Sequence, residues 1–397
     1  MVLTKGIFIV AAKRTPFGTY GGKFVQTPVA KLGEVAAKAA LTAGNINPEI
    51  IDHVIFGHVL SATSPDGIFM TRHIALKSGI PIEKPALTIN RLCGSGFQSI
   101  VNGAQSILVG ESKIVLAGGA DNMSQSPYVV RNVRFGAPLG ANIAFEDSLW
   151  IGLVDTHCQL PMALTAEKLG EKFGITREAV DKYALRSQSS WKKAHDNGVF
   201  KEELAPVTLT VKRKEVVVDQ DEHPRPQTTI ETLGKLPSIF KKDGLVTAGT
   251  ASGICDGAGA VVIASEEAVK EHKLTPLARL VGYTVVGVEP SIMGIGPSPA
   301  IQQLLKENGK TLNDIDLIEI NEAFAAQTLA CAKDLNLDVE KLNVNGGAVA
   351  LGHPLAASGS RITSHLVHEL RRTNKKLGIG SACIGGGQGI ALLVEKV

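Results

Sequence analysis

Slid along itself, the 397-residue sequence finds an approximate match at an offset of about 264 residues. Ile51-Asp52-His53-Val54-Ile55-Phe56-Gly57 falls on Ile315-Asp316-Leu317-Ile318-Glu319-Ile320-Asn321, each an apolar run entering a polar turn. Ser95-Gly96 falls near Ser358-Gly359, each opening a helical pattern. Lys113-Ile114-Val115-Leu116-Ala117-Gly118-Gly119 falls on Leu377-Gly378-Ile379-Gly380-Ser381-Ala382-Cys383, each a strand ending in a tight turn. The shared order and offset argue for duplication. Within each copy, short β-rich runs alternate with amphipathic stretches such as Val29 to Ala43 and Pro299 to Asn308, the pattern of strands joined by helical crossovers. A chain this long exceeds one ordinary core. The expected architecture is therefore α/β, with two similar βαβ-type halves packed face to face.

Residues 121–248 interrupt the repeat. They hold Trp150, Trp191, a charged helical pattern from Arg177 to Asn197 and a turn with Pro224 and Pro226, and an insertion of this size is usually functional or independently packed. The glycine-rich stretch Ala248 to Ile263 then returns to a strand. The expected division is 1–120 with 249–270 as an N-terminal half, 121–248 as an inserted loop domain, and 271–397 as a C-terminal half.

The net charge of +3 is the small difference between 41 basic and 38 acidic residues, so the total gives no sign of a nucleic-acid partner. No run of about 18 apolar residues offers a membrane span. The five cysteines, at 93, 158, 255, 331 and 383, are scattered and contain no Cys-x-x-Cys pair, which predicts a reducing compartment and no disulfide framework. Lys5, Lys13 and Arg14 precede the first acid, Glu34, yet Gly6-Ile7-Phe8-Ile9-Val10 already reads as a core strand. A targeting address there would have to remain uncleaved.

Chemistry concentrates in glycine-lined turns. Cys93 lies in Asn90-Arg91-Leu92-Cys93-Gly94-Ser95-Gly96, between a strand ending at Ile89 and a helix running from about Ser95 to Val109. The helix N-terminus is expected to favour its thiolate. Cys383 lies in Ser381-Ala382-Cys383-Ile384-Gly385-Gly386-Gly387, and His353 follows the loop Asn345 to Gly352 and precedes Pro354. A thiol nucleophile needs a base beside it and backbone N–H groups aimed at a developing oxyanion, and glycine lets backbone and substrate approach. Each residue also has a blander reading. Cys93 can be an inert buried thiol, His353 a hydrogen-bonded loop histidine, Asn321 a helix cap, Gly385 a tight turn and Arg225 a solvated cation. The Gly-x-Gly after Cys93 lacks the third glycine of a dinucleotide fingerprint, Ser99 standing in its place, and does not sit in the first βαβ unit. No His/Cys/carboxylate spacing reads as a metal site.

Taken together, these motifs resemble the thiolases, enzymes that cleave or form 3-ketoacyl-CoA thioesters. The likeness runs from Val10-Ala11-Ala12-Lys13-Arg14-Thr15-Pro16-Phe17-Gly18 to the last strand. Within the family it is nearest the mitochondrial 3-ketoacyl-CoA thiolases, through Ile89 to Ile100, Val130 to Gly136 and Arg225 to Thr229. The resemblance implies a five-layer fold in which two sheets sandwich a shared helical layer. It implies Cys93 as the nucleophile that carries the acyl thioester, His353 as the group that activates it and contacts an oxyanion, and Cys383 as general acid/base at the α-carbon. Asn321 would support a water at the enolate oxygen, and the backbone N–H groups of Gly385 and Cys93 would form a second oxyanion site. Arg225, Thr228 and Ser252 match CoA-contact positions, with His157 or His223 as further contacts by analogy.

The implied activity is CoA-dependent cleavage of 3-ketoacyl-CoA to acetyl-CoA and a shortened acyl-CoA in fatty acid β-oxidation, and its reversal. The alternatives are an acetoacetyl-CoA-specific acetyl-CoA acetyltransferase, a side acyl-CoA hydrolase activity and a non-catalytic CoA-binding scaffold. Coenzyme A enters as substrate, and no cofactor, metal or nucleic acid is expected. A homotetramer built as a dimer of dimers is implied, in the mitochondrial matrix with an uncleaved N-terminal signal, or else in the cytoplasm. One departure is visible: Ala356 stands where the family usually has glycine, which predicts a tighter loop after His353.

Overall fold

Nine strands organise the computed structural model, which describes residues 1–397: β1 Ile7–Arg14, β2 His53–Gly57, β3 Ala86–Ile89, β4 Ile114–Asn122, β5 Cys255–Ser265, β6 Ala278–Gly287, β7 Leu317–Ile320, β8 Leu377–Ile384 and β9 Gln388–Lys396. They form one sheet in the order β7-β8-β9-β6-β1-β5-β4-β2-β3, and a tenth, two-residue strand, Gly18–Thr19, pairs with β5. The duplication is visible in the pairing. β1, β5, β4 and β2 are joined by two antiparallel ladders and then a parallel one, and β6, β9, β8 and β7 repeat that sequence of ladders. Where two separate sheets were expected, the halves are joined edge to edge at β1 and β6. The contact is only two residue pairs long, Phe8 with Arg279 and Ile9 with Ala278.

The period-2 alternation of the strands assigns each face to a layer. The helices that matter here are α1 Val29–Ala43, α2 Met70–Lys77, α3 Ser95–Val109, α4 Met162–Lys172, α5 Arg177–Asp196, α6 Pro297–Glu307, α7 Ala325–Asp334 and α8 Ala357–Arg372. Ile7, Ile9, Val115, Ala117, Val261 and Ile263 of one half and Ile390, Leu392 and Val394 of the other pack on Phe97, Ile100 and Ala104 of α3 and Ile362, Leu366 and Leu370 of α8. The opposite faces pack outward, Val54, Phe56, Leu116 and Val262 with α1 and α2, and Ile318, Ile320, Ile379 and Leu393 with α6 and α7. Five layers result, with α3 and α8 in the middle. Helix α6 starts at Pro297, two residues before its expected start, because proline suits a first helical turn that needs no N–H donor.

The two central helices meet at their N-terminal ends, backbone against backbone. A Cβ on Gly359 would lie 2.2 Å from the Phe97 nitrogen, and one on Gly96 would lie 2.5 Å from the Ala356 carbonyl oxygen. Glycine at both positions therefore sets how closely the Cys93 turn and the His353 turn approach. The intervening stretch, which carries α4 and α5, is tied back by Arg14, whose buried guanidinium donates to Glu203 Oε1 (2.7 Å) and to both Asp221 oxygens (2.7 and 3.0 Å).

Candidate active site

Cys93 sits in a single tight turn, Leu92–Gly94, between β3 and α3. Leu92 before it has φ of +46°, a left-handed conformation that costs a branched side chain on the order of 1–3 kcal/mol and persists only when its surroundings hold it. Hydrogen bonds do so. Leu92 N donates to Asn90 Oδ1 (2.9 Å), Arg91 N donates to Ser95 Oγ (2.8 Å), and Ser95 Oγ donates back to Leu92 O (2.7 Å). The sulfur faces the backbone N–H groups of Gly385 and of Cys93 itself. Burial nevertheless pushes the thiol up to about 11, against the pull of those two N–H groups and with a further push from the Asp121 carboxylate. The two backbone N–H groups pull toward the thiolate expected at the helix N-terminus, and burial pulls the other way and prevails.

His353 enters from the other half. Gly352 before it has φ of +90°, and a Cβ there would lie 2.6 Å from Cys255 Sγ, so only glycine fits. The His353 N–H donates to Gly253 O at 2.9 Å. Its ring Nδ1 lies 2.5 Å from Ser358 Oγ, and its Nε2 lies 3.3 Å from Asn321 Nδ2. With the Asn321 amide in this orientation, Nε2 accepts and the ring proton belongs on Nδ1. Burial, followed by the nearby Arg361 charge, depresses the imidazole to about 3, leaving a neutral base at physiological pH. Asn321 does not cap a helix, since α7 begins at Ala325 with Phe324 as its N-cap.

Cys93, His353 and Ser252 line one pocket of 390 Å³ in which 16 of 21 wall residues are hydrophobic, a shape and polarity suited to an aliphatic arm or chain. Cys383, at the end of β8, is fully buried behind Met293 and Ala323. Burial raises its thiol well above the usual range, and the neighbouring Cys93 and then Cys331 add to the rise. The centre thus holds two neutral thiols and a neutral imidazole. Such a set can move protons as bonds form, without first separating charge.

Arg225 and Thr228 lie outside this pocket, on the turn before the short helix Ile230–Gly234. Thr228 Oγ1 donates to Arg225 O at 2.7 Å, while the Arg225 guanidinium is exposed and has no carboxylate partner. His157 is exposed. His223 packs on Gly253, where a Cβ would lie 2.0 Å from its ring, and burial lowers it to about 4.

The sequence reading missed the apolar wall of Leu149, Trp150, Met162, Phe240, Met293 and Phe324. Trp150 and Phe240 stack there, 6.1 Å between centroids. These residues follow no periodicity, so no local signal marked them. Ser358 was legible in principle, as a hydroxyl five residues after His353. Ala356 has φ of −66° and ψ of −25°, ordinary helical angles for alanine, so it does not strain the loop. No group of three or more His, Cys, Asp or Glu side chains is arranged to hold a metal ion.

Residues 7–267 match the thiolase N-terminal domain and residues 274–396 the thiolase C-terminal domain. The human protein described as "3-ketoacyl-CoA thiolase, mitochondrial" is 62% identical over 396 residues, covering 100% of each chain. The crystal structure of human mitochondrial 3-ketoacyl-CoA thiolase in complex with CoA superposes with a TM-score of 0.97 at 61% identity, covering 100% of this chain and 99% of that one. The Bacillus anthracis acetyl-CoA acetyltransferase superposes with a TM-score of 0.96 at 45% identity over 100% of both. The chain belongs to the thiolase family.

Proposed function

We propose that the protein is an acyltransferase that cleaves 3-ketoacyl-CoA with free CoA, giving acetyl-CoA and an acyl-CoA two carbons shorter, the thiolytic step of fatty acid β-oxidation. The observation that carries this reading is the convergence of Cys93 and His353 on one apolar pocket, with a second thiol, Cys383, directly behind. One cysteine is enough for acyl transfer. Breaking a carbon–carbon bond needs a second group to handle the proton at carbon.

In the thiolytic direction, His353 Nε2 takes the Cys93 proton as the sulfur attacks the 3-keto carbon. The Cα–Cβ bond breaks, the shortened acyl group stays on Cys93 as a thioester, and Cys383 gives its proton to the departing acetyl-CoA enolate. A water held by Asn321 and the His353 ring together stabilise the enolate oxygen, and the N–H groups of Cys93 and Gly385 hold the oxyanion of the acyl carbon. Free CoA then takes the acyl group and its proton returns to the enzyme. In reverse, Cys383 removes a methyl proton from acetyl-CoA and the carbanion attacks the acyl thioester. The apolar wall suits the pantetheine arm and acyl chain. Ser252 would contact the pantetheine amides, and the exposed, unpaired Arg225, with Thr228 on the same turn, would meet the nucleotide phosphates. CoA is thus a substrate, and the reaction as written needs no cofactor or metal.

The nearest rival, an acetyltransferase confined to acetoacetyl-CoA, would use the same residues, so fold alone does not separate the two. The higher identity to the human 3-ketoacyl-CoA enzyme favours the broader activity. Water in place of CoA would make hydrolysis a side activity. The presence of Cys93, His353, Asn321 and Cys383 together weighs against a non-catalytic scaffold.

We further infer a homotetramer. The free edge of β3 exposes Leu87, and residues 128–145 expose Tyr128, Phe135, Leu139 and Phe145, surfaces suited to self-association. The residues preceding β1 are already part of the fold, with Leu3 buried and its N–H bonded to Val281 O, which supports an uncleaved address. The mammalian relatives' mitochondrial names support the matrix over the cytoplasm. Denaturing mass spectrometry after incubation with an acyl-CoA tests the core of the proposal. It should find one acyl group on the Cys93 peptide, released as acyl-CoA when CoA is added. Release as free acid at the same rate without CoA would instead mark a hydrolase.

A further inference from the structure

Glu322 follows Asn321 on the turn after β7, and its carboxylate is fully buried without a cationic partner. Four donors close on it. Oε1 accepts from Tyr183 Oη (2.8 Å) and Asn343 Nδ2 (2.9 Å), and Oε2 accepts from Ser187 Oγ (2.8 Å) and Val349 N (3.0 Å). Tyr183 and Ser187 come from α5, while Asn343 and Val349 come from the loop that ends at Gly352-His353. The loop's glycines make room for this arrangement. A Cβ on Gly347 would lie 2.4 Å from Glu322 Cδ, and Gly346, at φ of +80°, would place one 2.5 Å from Ser187 O.

A buried carboxylate that faces only neutral donors is a poor device for stability, since well-packed apolar residues usually serve as well. What this carboxylate does is join three pieces of chain. Asn343 also clasps the end of β7, accepting from Ile320 N and donating to Ile320 O, each at 2.9 Å. Gly347 N donates to Ser187 Oγ at 3.1 Å. The strand end that carries Asn321 and the loop that carries His353 are therefore fixed to each other through one side chain. Across that junction Asn321 Nδ2 and His353 Nε2 sit 3.3 Å apart.

We infer that Glu322 is a positioning residue that sets the Asn321–His353 pair, an inference that rests on the roles proposed for those two side chains. Charge and shape both matter, because every group around the carboxylate donates. The Val349 N–H cannot become an acceptor, and the Asn343 amide is locked by Ile320. A glutamine of equal size must therefore turn its own N–H toward one of them.

The test is steady-state thiolysis of 3-ketooctanoyl-CoA by full-length Glu322→Gln, alone and combined with Asn321→Ala. A misplacement of reacting groups by about an ångström predicts a fall in kcat of roughly 100-fold. KM for CoA should change by less than about threefold, and Glu322→Gln should add less than about threefold when Asn321 is already alanine. An unchanged kcat, a change in KM alone, or a full multiplicative loss in the Asn321→Ala background would overturn the inference. If Glu322→Gln does not fold, Tyr183→Phe with Ser187→Ala keeps the carboxylate and removes two donors, and the same split between kcat and KM is expected. A wild-type rate in Asn321→Ala would overturn the proposed role of Asn321 and this inference with it. A slow Asn321→Ala beside an unaffected Glu322→Gln would overturn this inference alone.

Discussion

Asn321 Nδ2 and His353 Nε2 approach to 3.3 Å although they come from different loops 32 residues apart in sequence, and both side chains are buried. Burial leaves the imidazole neutral, and with the Asn321 amide donating to Nε2 its proton is assigned to Nδ1, toward Ser358.

The pH dependence follows from that burial. Because the imidazole is depressed to about 3, its base form persists far below the ordinary histidine value of about 6.5. Initial rates of kcat/KM should show no acid limb near pH 6.5 and stay level to about pH 5. The unfolded chain takes up the His353 proton below about 6.5 while the folded one does not, so this group removes stability as pH falls from about 6.5 toward 3. Stopped-flow pH jumps separate the two effects. An acid limb centred near 6.5 in the first turnovers would contradict the assignment.

Cys383→Ala should still accept one acyl group on Cys93 and should lose carbon–carbon bond formation by about 10²–10⁴-fold, the usual worth of a general acid/base. Intact-protein mass and a condensation assay read the two halves separately. Normal condensation by this variant would remove Cys383 from the proton transfer.

Gly119 is where β4 meets the start of α8. A Cβ there would lie 1.9 Å from the Ala356 carbonyl oxygen, with no flexible side chain to yield. Gly119→Ala should cost about 1–3 kcal/mol by overpacking and slow turnover by displacing the loop after His353. Ala356→Gly restores the residue usual in the family at a position of ordinary helical geometry. It should leave kcat nearly unchanged and cost about 0.5–1 kcal/mol in backbone entropy. Urea unfolding and steady-state rates on both variants check the pair.

Arg14→Ala removes the cation shared by Glu203 and Asp221, all three fully or almost fully buried. Two carboxylates would lose their partner, His365 remaining for Glu203 at 2.8 Å. The expected loss is about 3–5 kcal/mol, measured by urea unfolding. A loss within experimental error would mean that water reaches this cluster.

The duplication was legible because it is written in local patterns. Asp52 and Asp316, paired by the sequence repeat, do the same work. Asp52 Oδ2 accepts from the N–H groups of Lys113 (2.8 Å) and Ile114 (3.0 Å), and Asp316 Oδ2 accepts from Lys376 and Leu377, each at 2.9 Å. The turn that carries Cys93 was legible for a similar reason, since strand, cysteine and Gly-x-Gly are contiguous. The apolar wall was not, because Trp150, Phe240 and Phe324 come from separate segments and meet only in the fold. The edge joining of β1 to β6 is also a tertiary matter that no local pattern encodes. The state of the Cys93 thiol depended on desolvation, which sequence does not measure.

The most direct measurement is product analysis by mass spectrometry after mixing the purified protein with 3-ketooctanoyl-CoA and free CoA, beside a parallel sample on acetoacetyl-CoA. Hexanoyl-CoA and acetyl-CoA in equal amounts from the first substrate are the predicted result. Turnover of acetoacetyl-CoA alone, or of neither substrate, would contradict the proposed activity.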